Sequence, residues 1–227
     1  MSIAANIYKI HDKISSACAR VGRSEKDVEI VAVSKTVGAE KIQQAVQSGI
    51  KIIGENRVQE ALYKYQQVGQ IAKWHMIGHL QTNKVKQALN IFNVIQSVDS
   101  VKLTQEISKR ALFENRCFDI LIEVNTSGEY TKFGLEPQKV TDFILKVADL
   151  SGIRIIGLMT IGAFLPNPED VRPCFSTLRV LFEKIRELHI PNVVMEHLSM
   201  GMTNDFEIAV EEGATLVRIG RAIFGER

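Results

Sequence analysis

The chain has 227 residues, 45% of them apolar, and carries 28 Lys plus Arg against 26 Asp plus Glu for a net charge of +2. That apolar share allows a sizeable core and excludes a disordered chain, while the near-balanced charge argues against nucleic acid or anionic lipid as the main partner. Cys18, Cys117 and Cys174 are an odd set without CxxC spacing, which argues against a disulfide framework or structural zinc and for a reduced, cytoplasmic setting.

The first predicted element is a helix over about residues 3–20. Lys9, Asp12 and Lys13 deny this stretch the apolar core of a signal peptide. No later stretch approaches the roughly 20 apolar residues of a membrane span, so no membrane partner is expected. Eight short apolar runs follow as predicted strands: residues 29–35 (EIVAVSK), 51–56 (KIIGEN), 74–79 (WHMIGH), 94–99 (VIQSVD), 119–125 (DILIEVN), 153–160 (IRIIGLMT), 193–199 (VVMEHLS) and 215–220 (TLVRIG). Several are nearly continuous Val, Ile and Leu, as strands buried on both faces of a parallel sheet must be. Helical stripes lie between them, such as Ile42, Ala45 and Val46, or Val140, Phe143, Ile144 and Val147. Pro166, Pro168 and Pro173 mark the longest loop and the entry to a helix running to about Leu188.

Eight strands alternating with helices, without a linker, fit a single (β/α)8 TIM barrel domain over residues 1–227 with an extra N-terminal helix. A doubly wound open sheet is the alternative, but it would show a glycine fingerprint at its switch point.

Side chains of all eight barrel strands converge only at the strands' carboxyl ends. Those ends read Lys35, Asn56, His79, Asp99, Asn125, Thr160, Ser199, then Arg218 and Gly220, whereas the strand starts are bland. This asymmetry is a site signature. Lys35 is either a lysine reaching into solvent or an amine of restricted hydration, nucleophilic towards an aldehyde. Residues 199–206 (SMGMTNDF) and 215–222 (TLVRIGRA) follow strands seven and eight, where these barrels bind phosphate. Thr203 or Asn204 is a candidate N-cap there, with Glu207 completing a capping box for Asn204. Asn56 either caps the next helix, paired with Gln59, or faces the mouth. His79 reads first as a structural hydrogen bonder. His75 and His79 in a strand make no metal pair, and no metal site is expected. Residues 127–134 (SGEYTKFG) read as a glycine-bounded loop from which Lys132 could reach the mouth as a second amine.

Taken in order, VAVSK, GENRVQE, WHMIGHLQTNK, SGEYTKFG, GLMTIG, LSMGMTNDF and GATLVRIGRAIFG resemble the YggS/PROSC family of pyridoxal phosphate homeostasis proteins, from about Glu29 to Gly225. The resemblance implies a barrel like that of alanine racemase, the fold-type III group, with pyridoxal 5′-phosphate (PLP) as an internal aldimine on Lys35. It further implies Arg218 near the pyridine nitrogen and Ser199, Met200, Gly201, Thr203 and Gly220 around the phosphate. Asn56, His79 and Met159 would line the ring's surroundings. The chain departs from the family in reading Lys35-Thr36-Val37-Gly38 where a second lysine is often found, and in placing Thr203 where serine is common.

Racemisation requires an acid and a base on opposite faces of the cofactor, and the enzymes of this fold group take the second group, a tyrosine, from a second domain. With the chain ending at Arg227, the expectation is a monomeric, non-catalytic carrier that buffers PLP or delivers it to PLP-dependent apo-enzymes. The alternatives are a low-activity amino-acid racemase or decarboxylase using Tyr130 or a partner chain, and a phosphosugar isomerase or aldolase.

Overall fold

The computed structural model describes residues 2–225. Strands β1 (Glu29–Val33), β2 (Ile52–Glu55), β3 (Lys73–Met76), β4 (Val94–Val98), β5 (Phe118–Glu123), β6 (Ile153–Met159), β7 (Val193–Ser199) and β8 (Leu216–Ile219) pair in parallel, each with the next, and β8 closes back onto β1. The expected barrel is present. Helix α1 (Ile3–Arg20) precedes it, and α2 (Ala39–Gln47), α3 (Val58–Val68), α4 (Val85–Leu89), α5 (Val101–Phe113), α6 (Val140–Val147), α7 (Arg172–Glu187) and α8 (Phe206–Glu211) connect the strands; α9 (Arg221–Phe224) follows β8.

Two apolar layers result from strand alternation. Val31, Val33, Ile52, Ile77, Val94, Leu121, Ile156, Met159 and Leu216 fill the barrel interior, so the barrel is packed and not a pore. The opposite strand faces, including Ala32, Ile53, Ile95, Ile122 and Val217, join the helices in a larger outer core. Val140, Phe143, Ile144 and Val147 are all buried, as their spacing predicts; of the α2 stripe, Ile42 and Ala45 are buried and Val46 is half-buried.

Helix α1 begins at Ser2, whose hydroxyl accepts from the Ala5 N–H at 3.2 Å. It presents Ile7, Ile10 and Ile14, spaced by three and four residues, to the outer core, and each buried isoleucine contributes roughly 1.5–3 kcal/mol. The surrounding ion pairs, Lys13 with Glu207 and Arg20 with Glu211, are solvent-screened and set its register more than its stability. Among the described residues no helix is long and apolar enough to cross a membrane.

Strand pairing ends earlier than the apolar runs predict. Lys35, Asn56 and His79 lie beyond the last paired residues, in the turns that leave the barrel. Two glycines let those exits crowd together. A Cβ on Gly78 would stand 2.5 Å from the Asn56 carbonyl oxygen, so only glycine lets the β3 exit pass the β2 exit. Gly201 has φ +89°, and a Cβ there would meet the Ala209 Cβ at 2.5 Å, so glycine also seats α8 on the barrel rim.

Candidate cofactor site at the barrel mouth

A cavity of about 420 Å³ opens at the carboxyl ends of the strands, lined by Val33, Lys35, Asn56, Ile77, Ile161, Phe164, Met202, Thr203, Asn204, Asp205, Arg218, Gly220 and Arg221. A wider groove of about 800 Å³ lies elsewhere, bordered by Lys51, Lys73, Trp74 and Arg116. The buried side-chain atoms that lack a partner among the described residues, on Glu55, Asn56 and Glu123, do not border that groove.

Lys35 reaches the cavity because strand alternation continues into the turn. Val31 and Val33 point into the barrel, Ser34 points out, and Lys35 points in again. Its amine makes no hydrogen bond or ion pair with the described residues. Asn56 faces the same space from β2. It is not a helix cap: Arg57 occupies the N-cap position of α3 without a side-chain hydrogen bond, and the Asn56 Oδ1 is buried and unpartnered.

Arg218 continues the inward face of β8 after Leu216 and is 4% exposed. It donates to the Ser199 hydroxyl at 2.7 Å and to the Thr160 carbonyl at 2.7 Å. Arginine can only donate, so Ser199 must pass its own proton onward, to the Gln96 Oε1 at 2.6 Å. The Gln96 amide group then donates to the His75 Nδ1 at 2.8 Å, which makes that nitrogen an acceptor and the ring neutral. Burial, with His197 and Lys73 adding to it, pushes the His75 pKa down to about 3. Side chains from β3, β4, β7 and β8 thus form one satisfied polar chain through the barrel that aims the guanidinium. Burial lowers the Arg218 pKa to about 10, opposed by Glu123 and Asp205, so it stays a cation at neutral pH.

The loops after β7 and β8 supply the remaining wall. The N-cap of α8 is Asp205, not Thr203 or Asn204; its carboxylate turns back to accept from the Met202 N–H at 2.5 Å, folding the loop tightly. Thr203 and Asn204 are thereby released to line the cavity, and their backbone N–H groups, like those of Gly220 and Arg221, have no carbonyl partner among the described residues. Burial raises the Asp205 pKa, against the pull of the Met202 N–H and Arg218.

The expected site residues therefore fall into three sets. Lys35, Asn56, Thr203, Arg218 and Gly220 line one cavity. Ser199 and Met159 lie in the barrel beneath it, Ser199 supporting Arg218 and Met159 packed among apolar neighbours. Gly201 contributes through its backbone, its carbonyl accepting from the Arg218 N–H at 2.9 Å. The Met200 side chain packs into the outer core with Leu198 and Ala209, so alternation turns it away from the mouth. His79 sits at the rim, stacked on Phe133 with ring centroids 4.0 Å apart and its Nδ1 3.8 Å from Asp99. Lys132 is no free second amine, since it bonds Glu129 at 2.6 Å and the Gly162 carbonyl at 3.0 Å, tying the β5 and β6 loops together.

The sequence reading missed Glu123. It ends β5 on the inward face, 4% exposed, with Oε2 unpartnered. Burial and then the Asp99 charge push its pKa up to about 7, against Arg218. The strand boundary hid it: with β5 drawn to Asn125, the polar end was assigned to Asn125. That residue instead structures its own loop by donating to the Glu129 carbonyl at 2.8 Å. Among the described residues no cluster of three His, Cys, Asp or Glu side chains is arranged to hold a metal ion.

Residues 6–227 match the family described as alanine racemase, N-terminal domain. The pyridoxal phosphate homeostasis protein of Aquifex aeolicus is 45% identical over 228 residues, covering 100% of this chain and 99% of that protein. This chain belongs to the pyridoxal phosphate homeostasis protein family. The structure of PipY from Synechococcus elongatus with PLP bound superposes with a TM-score of 0.81 at 30% identity, over 93% of this chain and 100% of that one. Alanine racemase of Clostridium difficile, at 14% identity and a TM-score of 0.75, shares the fold over 100% of this chain but only 57% of its own length.

Proposed function

We propose that this chain, as one domain over residues 1–227, binds PLP through Lys35 and buffers or delivers the cofactor without turning over a substrate. The observation that carries this reading is that an amine without a partner and an orphaned, buried amide oxygen share one cavity with two loops of free N–H groups. That donor set fits PLP. An aldehyde needs an amine, and a phosphate needs backbone N–H and hydroxyl donors. Bound PLP supplies a reversible carbonyl and an electron-withdrawing ring.

Thr203, Asn204 and Gly220 would bind the phosphate, with Gly201 and Ser199 shaping the wall behind them and Met200 contributing only through its backbone. Asn56 would meet the ring's polar edge, with Met159 beneath it and His79 at the rim. Arg218 would face the ring nitrogen. Because its guanidinium is cationic and can only donate, it would hold that nitrogen unprotonated and weaken the ring as an electron sink.

Asp205 is the carboxyl that lines the cavity with Lys35, and its bond to the Met202 N–H engages it in shaping the loop. No tyrosine lines the cavity among the described residues, and Tyr130 is fully exposed on its loop. Curated relatives of the same length carry the name pyridoxal phosphate homeostasis protein. The recipients would be PLP-requiring apo-enzymes. Phe164, lining the cavity yet 80% exposed, leaves the mouth accessible to such a partner. A monomer in the cytoplasm is the setting we favour, consistent with three cysteines that are all unpaired.

The test has two parts. Purified protein should be yellow, and borohydride reduction should leave a pyridoxyl group on the peptide carrying Lys35 and none in Lys35→Ala. In deuterated water with L-amino acids, the loaded protein should show no steady α-proton exchange. Exchange that depends on Lys35 would overturn the carrier reading in favour of an amino-acid enzyme, and a colourless protein would point to a sugar-phosphate enzyme.

A further inference from the structure

The turn that carries Lys35 is held from behind by a buried ion cluster that cofactor binding does not itself use. Lys64, on the inner face of α3, has three ammonium protons and three acceptors: the Ser34 carbonyl at 2.6 Å, Glu55 Oε1 at 2.7 Å and Glu60 Oε1 at 2.6 Å. The Ser34 hydroxyl donates to the same Glu55 oxygen at 2.5 Å, and the Thr36 N–H donates to Glu60 Oε1 at 2.5 Å. The residues on both sides of Lys35 are therefore tied to α3 and β2, while the Lys35 side chain bonds none of the described residues.

The backbone needs such a hold. Thr36 has φ +63°, in the left-handed region that a β-branched residue resists. That dihedral turns the chain abruptly out of the barrel after Lys35, leaving the lysine as the last inward-pointing residue of its strand. Without external contacts threonine would relax towards negative φ and carry the Lys35 Cα with it. Lys64 and Glu55 are almost fully buried, 5% and 0% exposed, and each would be costly if left unpaired. The cluster therefore persists as a unit, and its outer member, Glu60, meets the strained peptide.

We propose that Glu60 and Lys64 are positioning residues for Lys35: they clamp Ser34 and Thr36 so that the amine is presented to the cavity in one place. This rests on the reading of Lys35 as the amine that holds PLP. Preorganisation of this kind lowers the ordering cost of binding, so its loss appears as weaker binding as well as a looser turn.

Glu60→Ala removes the acceptor, whereas Glu60→Gln retains an oxygen for both Thr36 and Lys64. Amide hydrogen exchange over residues 33–41 of the PLP-free protein reads the turn directly, and absorbance titration with PLP on the full chain reads binding. In Glu60→Ala we expect exchange about tenfold faster and a PLP dissociation constant about tenfold higher, with Glu60→Gln within about twofold of wild type on both. The thermal unfolding curve reports whether the fold is intact. Lys64→Met should move the same two readouts further. If either Glu60→Ala or Lys64→Met is folded with wild-type exchange in the turn, or binds PLP as wild type does, the proposal is overturned; failure of Glu60→Gln to rescue overturns it as well. Lys35→Ala keeps the two readings apart. Undiminished colour in that variant would sink the binding reading, while the exchange data would still judge the clamp.

Discussion

The two sides of the barrel mouth are built on opposite principles. On the β8–β1–β2 side the polar groups beneath and behind the cavity are densely bonded, with Glu55 Oε2 the exception: Arg218 has Ser199 and Thr160, and the Lys35 turn has Lys64, Glu55 and Glu60. On the β4–β5 side Glu123 stands buried with an oxygen unpartnered, near the charge of Asp99. The first side is braced by bonded polar groups beneath and behind the cavity, while the groups that face the cavity stay unpartnered among the described residues. The other carries an electrostatic cost at Glu123, whose side chain has no hydrogen bond among the described residues. Sites that must place a reactive amine to within a fraction of an ångström need the first kind of support. The second kind leaves a titratable group whose charge reaches Arg218.

Mutations should expose this asymmetry, most strongly on the β8–β1–β2 side. Arg218→Met removes the guanidinium that Ser199 and Thr160 are built around, and urea unfolding of the PLP-free protein should show a loss of about 3–5 kcal/mol. A loss below about 1 kcal/mol would mean that the polar chain to His75 is not a unit.

Glu123→Gln should act with the opposite sign. The folded protein holds the Glu123 proton up to about pH 7, above the ordinary value of 4.5, so the folded state binds protons more tightly than the unfolded chain and stability falls as pH rises through that window. The glutamine variant should therefore be about 1–3 kcal/mol more stable than wild type above pH 7 and equal to it below pH 4.5. Unfolding curves across that range check the sign. A variant less stable at high pH would show that the ionised carboxylate is a net partner of Arg218.

The smallest effect belongs to the rim. Tyr130→Phe, on a fully exposed side chain, should change stability by no more than about 0.5 kcal/mol and leave PLP affinity unaltered. A change in α-proton exchange in this variant would give Tyr130 a proton-transfer role.

Much of this architecture is legible in the sequence. The Val/Ile-rich runs, the helical stripes between them and the polar residues after each run located the barrel and its functional end, because burial on both faces leaves a pattern that is local in sequence. Lys35, Asn56, Arg218 and Gly220, which line the cavity, were readable at the strand ends on the same grounds, whereas Thr203 was read as a helix cap and came to the cofactor site through the family resemblance. Glu55, Glu60, Lys64, Gln96 and Glu123 were not readable. Glu55 and Gln96 sit inside strands where a carboxylate or an amide has no local signal, and Lys64 looks like any charged helix residue. The capping boxes drawn on Asn56 and Asn204 failed for a related reason. A spacing of three residues states that a cap is possible, but Arg57 and Asp205 hold the cap positions, and the Asp205 carboxylate turns back onto the Met202 N–H of its own loop.

From its own order of residues the chain determined strand count, the buried stripes of the helices between the strands, and which end would bear polar chemistry; each of these follows from a short apolar run, the polar residue that ends it, or a periodicity of 3.6 in one segment. Tertiary structure alone decided which polar groups meet. The Lys64 contacts to Ser34 and Glu55 join α3 to β1 and β2, and the path from Arg218 to His75 crosses four strands. Hydrogen bonds of a few ångströms between residues tens of positions apart depend on barrel closure and register, and no single segment carries that information.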